Sequence, residues 1–236
     1  MKKLMTALAI CVVATAAFAD VVSDNIVGYR TISAAGQFAS YGQTFITVGD
    51  TNGEWKLGNM KASGMDVYSD AIQFLDPSDQ SVILMASYQD GHGWVAFGDE
   101  DGALLDDTTF AIGTGFLCNF ASPVEFTFSG EVVQDTVTLD LDGQFYPFIA
   151  NPVPADLKLG DITATGMDVY SDAIQVLDPN DLSVILMASF QTGHGWVAFG
   201  DEDGALLDDT DVPAGAGLLC SLSGADIEIT FPNPML

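Results

Sequence analysis

The chain repeats itself at long range. Residues 64–108 read GMDVYSDAIQFLDPSDQSVILMASYQDGHGWVAFGDEDGALLDDT, and residues 166–210 match them at 40 of 45 positions, offset by 102. Solenoid repeats run to roughly 20–50 residues, so this period is too long for a solenoid turn. It is long enough for a small domain with its own core. Fainter matches extend the period outward. Gly36-Gln37-Phe38 answers Gly143-Gln144-Phe145, Gly115-Phe116-Leu117-Cys118 answers Gly217-Leu218-Leu219-Cys220, and Thr127-Phe128 answers Thr230-Phe231. Val21-Val22-Ser23-Asp24 parallels Val132-Val133-Gln134-Asp135. The expected units are therefore residues 20–130 and 131–236. No Pro/Gly/Ser-rich linker separates them, and Glu131 to Leu141 reads as a strand crossing the boundary, so the two are expected to pack closely.

Within each unit the hydrophobic period is two. Val124-Glu125-Phe126-Thr127-Phe128 puts Val and both Phe on one face, and Ile227-Glu228-Ile229-Thr230-Phe231 repeats the pattern. Ser81 to Tyr88 is a continuous apolar run of strand length, expected to be buried on both faces. Asp90-Gly91 marks a hairpin turn before the Gly93-to-Gly98 strand. Short strands with regular turn signals predict an all-β chain of two tandem β-sandwich-like domains, jelly-roll or immunoglobulin-like.

The first residues read as a secretory leader. Lys2 and Lys3 precede the uncharged stretch Leu4 to Phe18, and Ala17-Phe18-Ala19 has the form of a cleavage site, giving a signal peptide over 1–19. No second long apolar run follows, so the mature chain is expected to lack a transmembrane segment. After cleavage four basic residues face 33 acids, a formal charge of −29. Such a field repels nucleic acid and favours cations. At 48% hydrophobic residues the chain is too apolar to be a disordered acidic tail.

Three groups of residues merit a chemical reading. Cys118 and Cys220 occupy equivalent positions on apolar strand faces; the plain reading is a buried thiol, and a disulfide would have to join the units or two molecules. His92, Trp94, His194 and Trp196 lie in the repeated Gly-His-Gly-Trp. The plain reading is a tight turn, and the functional one is a ligand edge with the indole as a stacking surface. The acidic loop Asp99, Glu100, Asp101, Asp106, Asp107 recurs as Asp201, Glu202, Asp203, Asp208, Asp209. Carboxylates around a Gly turn offer the oxygens that Ca²⁺ requires, although the spacing is not that of an EF-hand. A solvated acidic surface is the competing reading. No nucleophile–base spacing is present, and the expectation is that the protein is not an enzyme.

Asn25-Ile26-Val27-Gly28-Tyr29, with Ile72-Gln73-Phe74-Leu75-Asp76, Gly93-Trp94-Val95, Ile112-Gly113-Thr114-Gly115-Phe116 and Thr127-Phe128-Ser129-Gly130, resembles a group of secreted β-rich proteins of the Verrucomicrobia and Lentisphaerae lineage. The second unit departs from that pattern at Leu218 and at Pro232-Asn233. The resemblance implies export and β structure, and no activity. The sequence therefore predicts a secreted structural or assembly protein of the cell surface, extracellular matrix or periplasm. It would self-associate through sheet edges, either the strand near Val21 to Ile32 or the tail near Ile227 to Phe231, with calcium as a candidate cofactor. The alternative is a carbohydrate- or cation-binding module with a glycan partner.

Overall fold

The computed structural model describes residues 26–34, 38–177, 182–224 and 226–234. The leader at 1–19 and the segment Val21 to Asp24 lie outside the described residues. The chain is all-β, with 49% of residues in strands and 3% helical. No helix among the described residues is long and apolar enough to cross a membrane.

The first unit supplies eleven strands. They are β1 (Val27–Ala34), β2 (Phe38–Gly42), β3 (Phe45–Ile46), β4 (Glu54–Lys56), β5 (Met60–Ser63), β6 (Ala71–Leu75), β7 (Val82–Gln89), β8 (Gly93–Ala96), β9 (Thr109–Ala111), β10 (Gly115–Asn119) and β11 (Val124–Val132). In one sheet β11 is central: β1 pairs along one side, and β5 and β3 along the other. A five-stranded sheet runs β2-β10-β6-β7-β8, and β4 pairs β9. The second unit supplies β12 (Val137–Asp140), β13 (Phe148–Ala150), β14 (Leu157–Lys158), β15 (Thr163–Thr165), β16 (Ala173–Leu177), β17 (Val184–Gln191), β18 (Gly195–Ala198), β19 (Asp211–Val212), β20 (Gly217–Ser221) and β21 (Glu228–Phe231). Its sheets repeat the scheme as β12-β21-β15, β13-β20-β16-β17-β18 and β14-β19. These small antiparallel sheets are arranged like a propeller.

The alternating strands behave as their pattern requires. In β11 the side chains of Val124, Phe126, Phe128 and Val132 are buried while Glu125 and Ser129 are exposed. Two expectations are corrected. Val82 and Ile83, at the start of the apolar run, are 46% and 60% exposed, and within β7 only Ala86 and Ser87 are fully buried. The strand expected to cross the boundary is two strands. β11 ends at Val132, two residues past the expected boundary, and β12 begins at Val137 in a different sheet.

One scaffold carries two different cores. The paired registers align Trp55, Phe74, Phe110, Phe116, Phe120 and Phe126 with Leu157, Val176, Val212, Leu218, Leu222 and Ile229. Unit one packs its rings both face to face and edge to face, with Phe74 stacked on Phe110 at 3.9 Å and Phe116 meeting Phe126 edge-on at 6.1 Å. Unit two fills the same space with branched aliphatics, and cores tolerate such exchange when volume and pattern are kept.

The units meet by exchanging equivalent groups. Gly42 N–H donates to the Gly215 carbonyl at 2.9 Å, and Ala150 N–H donates to the Gly113 carbonyl at 2.8 Å. Since Gly42 corresponds to Ala150 and Gly113 to Gly215, the junction has pseudo-twofold symmetry. Isolated bridges join Tyr41 to Ala216 and Ile149 to Thr114 in the same way. Gly42 is required by close approach: a Cβ there would lie 2.2 Å from the Ala150 Cβ. Arg30 closes one side of the junction. It is half-buried beside Asp156, and its guanidinium stands 2.7 Å from where a Gly215 Cβ would be.

Gly42→Ala is expected to cost about 1–3 kcal/mol by overpacking. Adding Ala150→Gly moves the methyl group to the opposite side of the junction and should recover most of that loss. Chemical denaturation of the two variants checks it; no recovery in the double variant contradicts the stated contact.

Candidate functional site

The repeated block builds one continuous face in each unit, made of a turn, a hairpin and the acidic loop. The turn is closed by the Asp70 N–H donating to the Asp66 carbonyl at 2.8 Å. Asp70 itself is buried. Its carboxylate accepts the N–H groups of Ala121 (2.6 Å) and Asp66 (2.8 Å), tying the turn to the end of β10. Asp172 repeats this with Ser223 (2.6 Å) and Asp168 (2.7 Å). A buried carboxylate taking several N–H donors is a structural tie, since the charge is held by oriented dipoles. Sequence reasoning passed over this pair, and the only available signal was the repeated Asp-Val-Tyr-Ser-Asp itself.

The acids of the loop do separate jobs. Asp106 faces inward: its Oδ1 accepts the Trp94 N–H at 2.9 Å, and its carboxylate lies where a Gly93 Cβ would stand, 2.7 Å away. This contact and a φ of 128° explain the second glycine of Gly-His-Gly-Trp. Asp208 does the same for Trp196 at 3.3 Å. Asp107 faces outward and pairs with Lys56 at 2.7 Å, which holds its carboxyl below the ordinary range. The corresponding Lys158 pairs with Asp211 instead of Asp209, whose carbonyl it also reaches at 3.1 Å. Asp99 and Asp201 accept turn N–H bonds from Gly102 and Gly204 through their backbone carbonyls. Glu100 and Glu202 accept the hydroxyls of Tyr68 (3.0 Å) and Tyr170 (3.1 Å). Asp101 and Asp203 are exposed. Among the described residues no three of these carboxylates converge as metal ligands.

The tryptophans are corrected outright. Trp94 and Trp196 are fully buried, and their indole N–H groups donate to the carbonyls of Met60 (2.6 Å) and Ile162 (2.7 Å). Burial of the rings leaves no face for a ligand. His92 and His194 stay exposed at the hairpin tip, where His194 Nε2 lies 3.5 Å from the Gly204 carbonyl. The exposed aromatics of this face are instead Tyr68 and Tyr170, which the sequence reading missed. Each is over 60% exposed with its hydroxyl fixed by the glutamate. That hydrogen bond and the carboxylate charge raise the pKa of both phenols.

Cys118 and Cys220 are free and buried. Burial raises both thiol pKa values well above the ordinary range, which disfavours the reactive thiolate.

Three clefts are notable. One of about 560 Å³ lies at the junction of the units, lined by apolar groups including Leu75, Ile112, Leu139 and Phe148. Two smaller ones flank Tyr88. One holds His92, Lys61 and Asp106, and the other holds Tyr68, Gln89 and Glu100.

These features define an all-β protein with one surface displayed twice. Comparisons with protein-family models, curated proteins and solved structures return no match.

Asp106→Ala strands the Trp94 N–H and is expected to lower stability by about 1–3 kcal/mol, measured by thermal or chemical unfolding. The native protein is also expected to resist iodoacetamide at Cys118 and Cys220 at pH 8, and to be labelled at both once unfolded. Rapid native labelling, located by peptide mass spectrometry, contradicts the burial argument.

Proposed function

We propose that the protein is a secreted, non-enzymatic assembly subunit of the cell surface or extracellular matrix, building oligomers by sheet-edge pairing. The observation that carries this is β1. It terminates its sheet and pairs only with β11 among the described residues. Its outward residues Val27 and Tyr29 are 62% and 80% exposed, and Ile26 just before it is also exposed. An edge strand presents unpaired N–H and C=O groups, and natural proteins usually blunt such edges with charge, proline or a cover. Val27 and Tyr29 provide no such guard.

The tail is not part of this proposal. β21 is central in its sheet, flanked by β12 and β15, so neither of its edges is available to a neighbour. We also read each unit as sandwich-like, because rings from two different sheets, Phe116 of β10 and Phe126 of β11, meet in one core. The buried thiols, which disfavour the reactive thiolate, support a role without catalysis. The resemblance to secreted β-rich proteins supports export. Calcium enters as a counterion: two copies carrying this much negative charge repel, and a divalent cation lowers that cost.

Sedimentation velocity and negative-stain electron microscopy of the mature chain, over a concentration series with and without Ca²⁺, test this. Concentration-dependent oligomers or filaments are expected. Val27→Glu with Tyr29→Glu should shift the midpoint of assembly at least tenfold upward. A mature chain that stays monomeric throughout, or an assembly indifferent to those substitutions, refutes the proposal.

A further inference from the structure

The second small cleft carries more than its size suggests. It lies between the Asp66–Asp70 turn and the end of β7, and measures about 230 Å³. Four of its lining residues bear on recognition: Tyr68, Tyr88, Gln89 and Glu100. The Tyr68 ring stands exposed at its rim, pinned by the 3.0 Å bond to Glu100. An aromatic ring held in place offers large contact area at little entropic cost. The second unit rebuilds the arrangement with Tyr170, Phe190, Gln191 and Glu202. There the Gln191 amide N–H donates to Glu202 at 3.4 Å, alongside the Tyr170 hydroxyl.

What the copies keep and what they lose indicates the ligand. Both keep the exposed tyrosine, the glutamate, the glutamine and an aromatic residue at the end of the strand. They differ at Asp90, which is Thr192 in the second unit, whereas Asp66 recurs as Asp168, so two of the three lining acids are shared. Elsewhere the units have drifted far. Five of the six aromatic-to-aliphatic core replacements lie outside the repeated block. Two of the five differences within the block, Tyr88 to Phe190 and Asp90 to Thr192, line this cleft, while the exposed Tyr68 and Glu100 recur unchanged at positions where substitution usually costs under about 0.5 kcal/mol.

We propose that this cleft and its copy are paired binding sites for a neutral, hydroxyl-rich ligand, an oligosaccharide of a glycan surface. The tyrosine face packs against the apolar C–H face of a sugar ring, and the carboxylate and amide bond its hydroxyl groups. A net charge this negative disfavours sulfated or uronate glycans. Two equivalent sites on one chain give avidity for a polymer, because the second contact is intramolecular. This inference is independent of edge-to-edge assembly.

The test titrates the intact mature chain by calorimetry with neutral hexasaccharides (xylo-, manno-, cello- and galacto-series), with a hexuronate and spermidine as charged probes. At least one neutral series should bind at two sites per chain. Tyr68→Ala should reduce the stoichiometry from two to one. Tyr68→Ala with Tyr170→Ala should weaken binding at least tenfold with an unchanged melting temperature, and Tyr68→Phe should retain most of it. The isosteric pair Glu100→Gln and Glu202→Gln is expected to weaken binding at least fivefold, and serves if the alanine variants unfold. The proposal is overturned if no neutral series binds, if only the uronate or spermidine binds, if the stoichiometry is other than two, or if binding survives the paired substitutions.

Discussion

The structure depends on one long-range pairing made twice. In each unit the last strand returns to lie antiparallel against the first, β11 against β1 and β21 against β12. The last strand is also central, with β5 or β15 on its far side. It brings Phe126 and Phe128, or Ile229 and Phe231, into the core. Without that strand the first strand and β5 or β15 have no common partner, and the core lacks those side chains. Contacts of such wide sequence separation carry a large loop-closure cost before they return anything, so each unit is expected to form as a whole.

Placing the closing strand in the middle has a consequence for the sheet edge. Its partner on one side, the first strand, becomes the edge. In unit one that edge is eight residues long and carries exposed Val27 and Tyr29; in unit two the equivalent β12 has four residues. At the junction of the units, Gly42 of β2 and Ala150 of β13, each in a five-stranded sheet, donate to the turn glycines Gly215 and Gly113 of the other unit. That junction is an isologous interface within one chain, in which equivalent groups on the two halves serve each other in turn.

Against this background the repeated face stands apart. The core changed from aromatic to aliphatic and Arg30 became Val137 at the equivalent strand position, yet the turn, hairpin and acidic loop were kept. Part of that identity is architectural. Asp70, Asp106 and Trp94 each make a specific buried bond that their copies repeat. The exposed remainder, Tyr68 with Glu100 above all, contributes little to the core, and it is this part that the glycan proposal uses. The proposed edge pairing and the proposed glycan contact are compatible, since they use different residues, Val27 and Tyr29 for one and Tyr68 and Tyr170 for the other.

By itself the sequence determined the all-β class, the duplication, the alternating faces of β11 and β21, and the burial of both cysteines, because each rests on local periodicity or on direct comparison of the copies. Site residues were legible only in part. The acidic loop was found as a cluster, but adjacent carboxylates on a turn point in different directions, so Asp106 serves a backbone N–H while Asp107 meets Lys56. Trp94 read as a surface ring because it follows a Gly-rich turn, and the tertiary fold buried it against Met60. Tyr68 gave no signal beyond repetition, since its exposure depends on where the turn lands beside β7. The tail strand looked free because it is last in the chain, and only the fold put it between two neighbours. Periodicity fixes which side of a strand faces inward; which strands lie at the centre and which at the edge is decided by pairings between residues far apart, and no local pattern encodes them.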